Sequence, residues 1–141
     1  MTGDARSVFV DTSAWFASFD ARDARWSDAT RLFEVLVEMG ARLLTSNFVL
    51  AETHAMTVRR CGRDRGVDVV DRFHRGTVRL VRVSEADEVR AVEIIEGFAD
   101  KAFSYTDATS FAIIERLGIQ SAFSFDRHFA QFGVTTLGLD G

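Results

Sequence analysis

Proline is absent from the 141 residues, cysteine occurs once, at Cys61, and lysine once, at Lys101. A lone cysteine has no internal disulfide partner, which suits a reducing cytoplasm. With no proline, no low-complexity tract and no internal repeat, nothing divides the chain, and its length fits a single domain over 1–141. No apolar run approaches the ~20 residues of a membrane span, so no membrane role is expected. The N-terminus "MTGDARSVFVDTS" carries an acid early and no long apolar core ahead of a small-residue cleavage site, so it does not read as a secretory leader. The three histidines (His54, His74, His128) are scattered, and no Cys/His cluster suggests zinc. The formal charge of -4 argues against a protein that coats nucleic acid by bulk attraction, but not against an enzyme that cuts it through an acidic metal site. Arginine, nearly the whole cation supply, makes bidentate phosphate contacts, although a compositional bias of the genome explains it equally well.

What is present describes a globular protein. Hydrophobic residues at 47% and charged ones at 27% separate it from disordered chains. The pattern alternates strand and helix. "VFV" is a short buried strand, and Thr12 or Ser13 opens a helix after it. From Asp23 to Met39 apolar residues recur at Trp26, Ala29, Phe33, Leu36 and Val37, the spacing of one helical face, and Gly40 closes that helix. "RLLTSN" is a strand, "FVLAETHAMTVRR" and "GVDVVDRFHR" are helical, and "TVRLVRV" alternates like a strand. Ser84 caps a helix in which Ala91, Ile94, Ile95 and Phe98 share a face. "YTDATSFAIIERLG" is a helix ending at Gly118, "SAFSF" a strand, "RHFAQF" a helical turn and "VTTLGL" the last strand. Strands alternating with helices predict a three-layer α/β/α domain with a central, mostly parallel sheet.

In such folds, sites form beyond the carboxyl ends of the strands. Asp11 ends the first strand and Asp126 ends "SAFSF". Glu52 lies about one and a half turns into its helix and Asp107 in the first turn of another. Glu52 and Asp107 interrupt apolar segments, which predicts that both are buried. Taken singly, Asp11 and Asp107 also suit helix capping, and Asp126 suits a turn. Four carboxylates within about 5 Å would repel by roughly 3 kcal/mol per pair at an effective dielectric near 20. A hard cation, Mg²⁺ or Mn²⁺, is the natural compensation for oxygen-only ligands.

If the Glu52 helix runs past Arg60, Arg59 and Arg63 return to within ~20° of Glu52. They would then line a path for a phosphate backbone, or form an ordinary solvated basic face. His128, two residues after Asp126, reads as an exposed turn histidine rather than a substrate contact. Phe123, Phe125, Phe129 and Phe132 read as core around a buried strand rather than base-stacking groups.

The stretches "FVDTSAWFA", "TSNFVLAET", "YTDATSFAIIERLGI" and "FSFDRHFAQFGV" together resemble the PIN-domain ribonucleases, most nearly the VapC-type toxins of bacterial toxin–antitoxin pairs. The resemblance runs nearly from end to end. It implies a Mg²⁺- or Mn²⁺-dependent endoribonuclease whose four acids are Asp11, Glu52, Asp107 and Asp126. Asp11 and Asp107 are then the direct metal ligands, with Glu52 and Asp126 ligating or orienting water. Ser13 matches the family's supporting hydroxyl, Ser124 stands where many relatives have threonine, and Asn47 and Thr106 are outer-sphere candidates. Where the family often carries a further acid, three residues after the fourth, this chain has Phe129. A homodimer and a cognate antitoxin are implied by the resemblance alone.

Three other classes are weighed. A haloacid-dehalogenase-type phosphatase wants a second Asp where Ser13 stands. A phosphoacceptor receiver wants a lysine ending a late strand, whereas Lys101 precedes the Asp107 helix. Within the PIN fold, a nuclease of RNA processing outside toxin–antitoxin systems, or a non-catalytic RNA-binding module, is the alternative.

Overall fold

The computed structural model describes residues 6–139. The reading of the extreme N-terminus as leaderless therefore falls largely on residues outside the described ones. Five strands alternate with seven helices among the described residues. They are β1 (Ser7–Val10), α1 (Thr12–Phe19), α2 (Trp26–Glu38), β2 (Arg42–Ser46), α3 (Asn47–Cys61), α4 (Arg63–Arg75), β3 (Arg79–Val81), α5 (Glu85–Gly97), α6 (Tyr105–Leu117), β4 (Ser121–Phe123), α7 (His128–Phe132) and β5 (Thr135–Leu137). The sheet order is β3-β2-β1-β4-β5 and every pairing is parallel. The predicted α/β/α layering is what forms, because β1 is buried on both faces and each crossover helix must cover one of them.

The two faces are read off the aromatic side chains. Phe9 of β1 meets Phe129 of α7 at 6.3 Å, and Phe111 of α6 packs edge-on to Phe129 at 4.9 Å. On the opposite face Phe123 of β4 meets Phe33 of α2 at 4.9 Å. Trp15 of α1 lies 5.0 Å from Phe33 and 4.8 Å from Phe73 of α4. Its indole N–H donates to the Thr45 hydroxyl, which donates to the Val10 carbonyl, so the one buried polar atom of the ring is satisfied. Truncating such a residue costs about 3–5 kcal/mol.

Local chemistry sets most helix ends. Ser84 and Ser104 each accept from the backbone N–H three residues on, while Asp87 and Asp107 accept from the capping residue in return. Two expected faces are narrower than the periodicity suggests: Trp26 and Val37 of α2 and Ile95 of α5 are exposed. The strand expected over "TVRLVRV" shrinks to Arg79–Val81, an edge with one partner. At Gly62 the backbone takes φ +91°, ending α3 and starting α4, so Arg63 does not continue the Glu52 helix. Four residues later a Cβ on Gly66 would sit 2.6 Å from Val58, which is what lets α4 fold back against α3.

Candidate active site

The chain leaves β1 toward β2 and β3 on one side, then returns for β4 and β5 on the other. Crossovers therefore depart in opposite directions from β1 and β4, opening a crevice beyond their carboxyl ends. The register pairs Val10 with Phe123, and the Asp11 N–H donates to the Phe123 carbonyl at 3.0 Å. Asp11 is thus pinned to the floor of that crevice and is 4% exposed.

Its carboxylate is not spent on capping: Asp11 is the N-cap residue of α1, yet its side chain makes no capping hydrogen bond. Instead, Oδ2 accepts from Ser13 at 3.1 Å and from Ser124 at 2.9 Å. Ser13 Oγ also accepts from the Phe125 N–H, and Ser124 Oγ from the Asp126 N–H, both at 2.9 Å. The two hydroxyls thus tie the segment after β4 to Asp11. Burial, and secondarily the negative charge of Asp107, pushes the Asp11 carboxyl up to about 7, against the lowering effect of its hydrogen bonds.

Asp107 does two jobs. It is the third residue of α6, closing the capping box with Ser104, and its Oδ2 lies 2.7 Å from Nδ1 of His128. Asp126 accepts from the His128 backbone N–H at 2.9 Å and stands 3.4 Å from the same ring nitrogen. One donor atom from each of Asp107, Asp126 and His128 lies within 4.8 Å of the others. The expectation that His128 is an exposed turn residue is corrected. Its ring is half-buried and aimed at two acids, because α7 begins at His128 and turns this side chain inward. The only sequence signal was its spacing of two residues from Asp126.

The remaining candidates are placed less centrally. Glu52 is exposed, contrary to the expectation from its apolar flanks, and makes no hydrogen bond or ion pair among the described residues. It lies one turn beyond Phe48, whose ring meets Tyr105 at the start of α6 at 6.0 Å, so it shares the helix face turned toward α6. Asn47 accepts from the Val83 N–H at 2.8 Å, fastening the segment after β3 rather than any acid. Thr106 contributes its carbonyl, which accepts from Thr109 and Ser110. Arg59 is exposed near the end of α3, and Arg63 pairs with Asp64 at 3.4 Å on α4. Of the phenylalanines, Phe123 and Phe129 are fully buried, while Phe125 lies 5.1 Å under the Arg25 guanidinium.

Comparison with known proteins agrees with this fold. The family profile described as PIN domain matches residues 8–134. The chain is 37% identical over 126 residues to the 23S rRNA-specific endonuclease VapC20 of Mycobacterium tuberculosis, covering 89% of this chain and 94% of that one. It is 26% identical over 124 residues to ribonuclease VapC26 of the same organism, covering 87% and 90%. The crystal structure of VapC20, described as a sarcin-ricin loop cleaving toxin, superposes with a TM-score of 0.85 over 91% of this chain and 96% of that one. A toxin–antitoxin complex from Klebsiella pneumoniae shares the fold at a TM-score of 0.65 and 14% identity, covering 92% and 95%. A profile match over nearly the whole length, together with these relatives, places the chain in the PIN-domain family, among its VapC-type ribonucleases.

Proposed function

We propose that the chain is a divalent-metal-dependent endoribonuclease, the toxin of a toxin–antitoxin pair, with Asp11, Asp107 and Asp126 as the acids that hold Mg²⁺ or Mn²⁺. One observation carries the reading: residues from the ends of β1 and β4 and the start of α6 converge on one crevice, and the buried Asp11 there resists ionisation. The donor set fits a hard cation, since it offers carboxylate oxygens and no thiolate. Bound among them, the cation would neutralise the acids and, as a Lewis acid, stabilise charge on the scissile phosphate.

The chain's own residues supply the rest. Ser13 and Ser124 fix the Asp11 carboxylate by two hydrogen bonds to one oxygen, leaving the other oxygen for the cation. Asp126 is partly open to solvent and Glu52 is exposed, which suits both to orient the attacking water. Thr106 and Asn47 hold backbone around the site, and Arg59 and Arg63 offer charge for the RNA backbone outside it. Since the 37% identical relative acts on 23S rRNA, large-subunit ribosomal RNA is the substrate assigned. The protein works in the cytoplasm as a homodimer restrained by a protein antitoxin, a reading supported by the resemblance to VapC toxins; no helix among the described residues is long and apolar enough to cross a membrane.

The test is incubation of ribosomal RNA with purified protein in Mn²⁺ or in EDTA, beside Asp107→Asn, followed by sequencing of the cut ends. Discrete ends with Mn²⁺, absent in EDTA and in the variant, are expected. Equal cleavage in EDTA would overturn the metal assignment, and intact RNA in every arm would overturn the substrate.

A further inference from the structure

We propose that His128 is itself a ligand of the cation, so that the site takes a first-row transition ion such as Mn²⁺ in preference to Mg²⁺. This rests on the metal-dependent reading above and goes beyond its all-carboxylate form. The position at which the family often carries a further acid is filled here by Phe129. That residue is fully buried, packed against Phe111 at 4.9 Å and Phe9 at 6.3 Å, and takes no part in the crevice. The neighbouring residue fills the gap. Nδ1 of His128 lies 2.7 Å from Oδ2 of Asp107 and 3.4 Å from Oδ1 of Asp126.

The ring packs against Phe103 at 5.5 Å with an interplanar angle of 73°, and the residue's backbone N–H, donating to Asp126, fixes the start of α7 beside that acid. Two donors on one ion at about 2.1 Å can be no more than about 4.2 Å apart. The spread of up to 4.8 Å among the three donor atoms closes on that value with small side-chain rotations. A cation shared by Asp107 and Asp126 thus finds the imidazole nitrogen already between them. Mg²⁺ prefers oxygen in near-ideal octahedral geometry, whereas imidazole suits transition ions, whose affinity for such a site rises along the first row. A nitrogen donor in this set therefore favours Mn²⁺ over Mg²⁺.

The experiment uses the full chain with Mn²⁺ or Mg²⁺ alone, in wild type, His128→Asn, His128→Gln and Asp107→Asn, each checked for folding by circular dichroism. Calorimetric titration reads affinity, and electron spin-echo spectroscopy of bound Mn²⁺ reads directly coordinated nitrogen. Wild type is expected to show nitrogen modulation that both His128 variants lose. In them Mn²⁺ affinity falls by at least about 10–100-fold, the loss seen for outer partners of metal ligands, while Mg²⁺ affinity changes less. Mn²⁺ binding that depends on Asp107 but shows no coordinated nitrogen, or nitrogen that persists in both His128 variants, would overturn the role of His128 and leave the metal reading standing. Mn²⁺ binding indifferent to Asp107→Asn would overturn both.

Discussion

Replacing Asp11 by Asn should stabilise the metal-free protein at neutral pH while abolishing its activity. In the folded state the Asp11 carboxyl is raised from 3.8 to about 7, chiefly by burial and then by Asp107. Between those values the unfolded chain has released the proton that the native state still holds, so stability falls as pH rises. The loss begins near pH 4, is complete above pH 7, and at 1.36 kcal/mol per pH unit amounts to about 4 kcal/mol. That is a large share of the 5–15 kcal/mol typical of a domain. Asparagine removes the ionisation yet keeps an oxygen able to accept from Ser13 and Ser124. Urea unfolding in EDTA, from pH 4 to pH 8, is the assay. The two proteins should be nearly equal at pH 4, and the variant more stable by up to about 4 kcal/mol at pH 8. Mn²⁺ should close the gap by stabilising wild type alone. A variant less stable than wild type at pH 8 in EDTA would refute the claim that Asp11 is an uncompensated buried charge.

Three further outcomes are expected. Ser124→Ala leaves the Asp126 N–H without its acceptor and Asp11 without one donor, so unfolding should be easier by about 1–3 kcal/mol and metal affinity lower; calorimetric titration beside urea unfolding checks both. Asn47→Ala removes the acceptor of the Val83 N–H and should cost about 1 kcal/mol, with cleavage retained by whatever protein remains folded. The pair Arg59→Glu and Arg63→Glu should weaken RNA binding in a filter assay without altering Mn²⁺ binding, and unchanged cleavage would remove these arginines from the RNA path.

Much of the fold was legible along the chain because its signals are local. Periodicity and caps marked α2, α5 and α6 within a few residues, and the burial of "VFV" implied a sheet covered on both faces. Glu52 shows where local reading fails. Apolar neighbours at positions 48–51 suggested burial, but a helix turns 100° per residue, and which side meets the core is decided by packing against α1, α4 and α6. Gly62 is a similar case, since a glycine between two arginine-rich runs says nothing of whether the helix bends, stops or continues.

By itself the sequence determined the alternation of strand and helix, and with it the placing of Asp11 and Asp126 after parallel strands and of Asp107 in a first helical turn. These follow from hydrogen-bonding geometry over a few neighbours. Only the tertiary structure decided that β1 and β4 lie side by side where the crossovers diverge, so that residues more than a hundred positions apart share one crevice. It also decided that His128 turns inward while Phe129 goes to the core. Side-chain direction at a short helix is settled by what it packs against, here Phe103 and Phe111, which are far away in the chain.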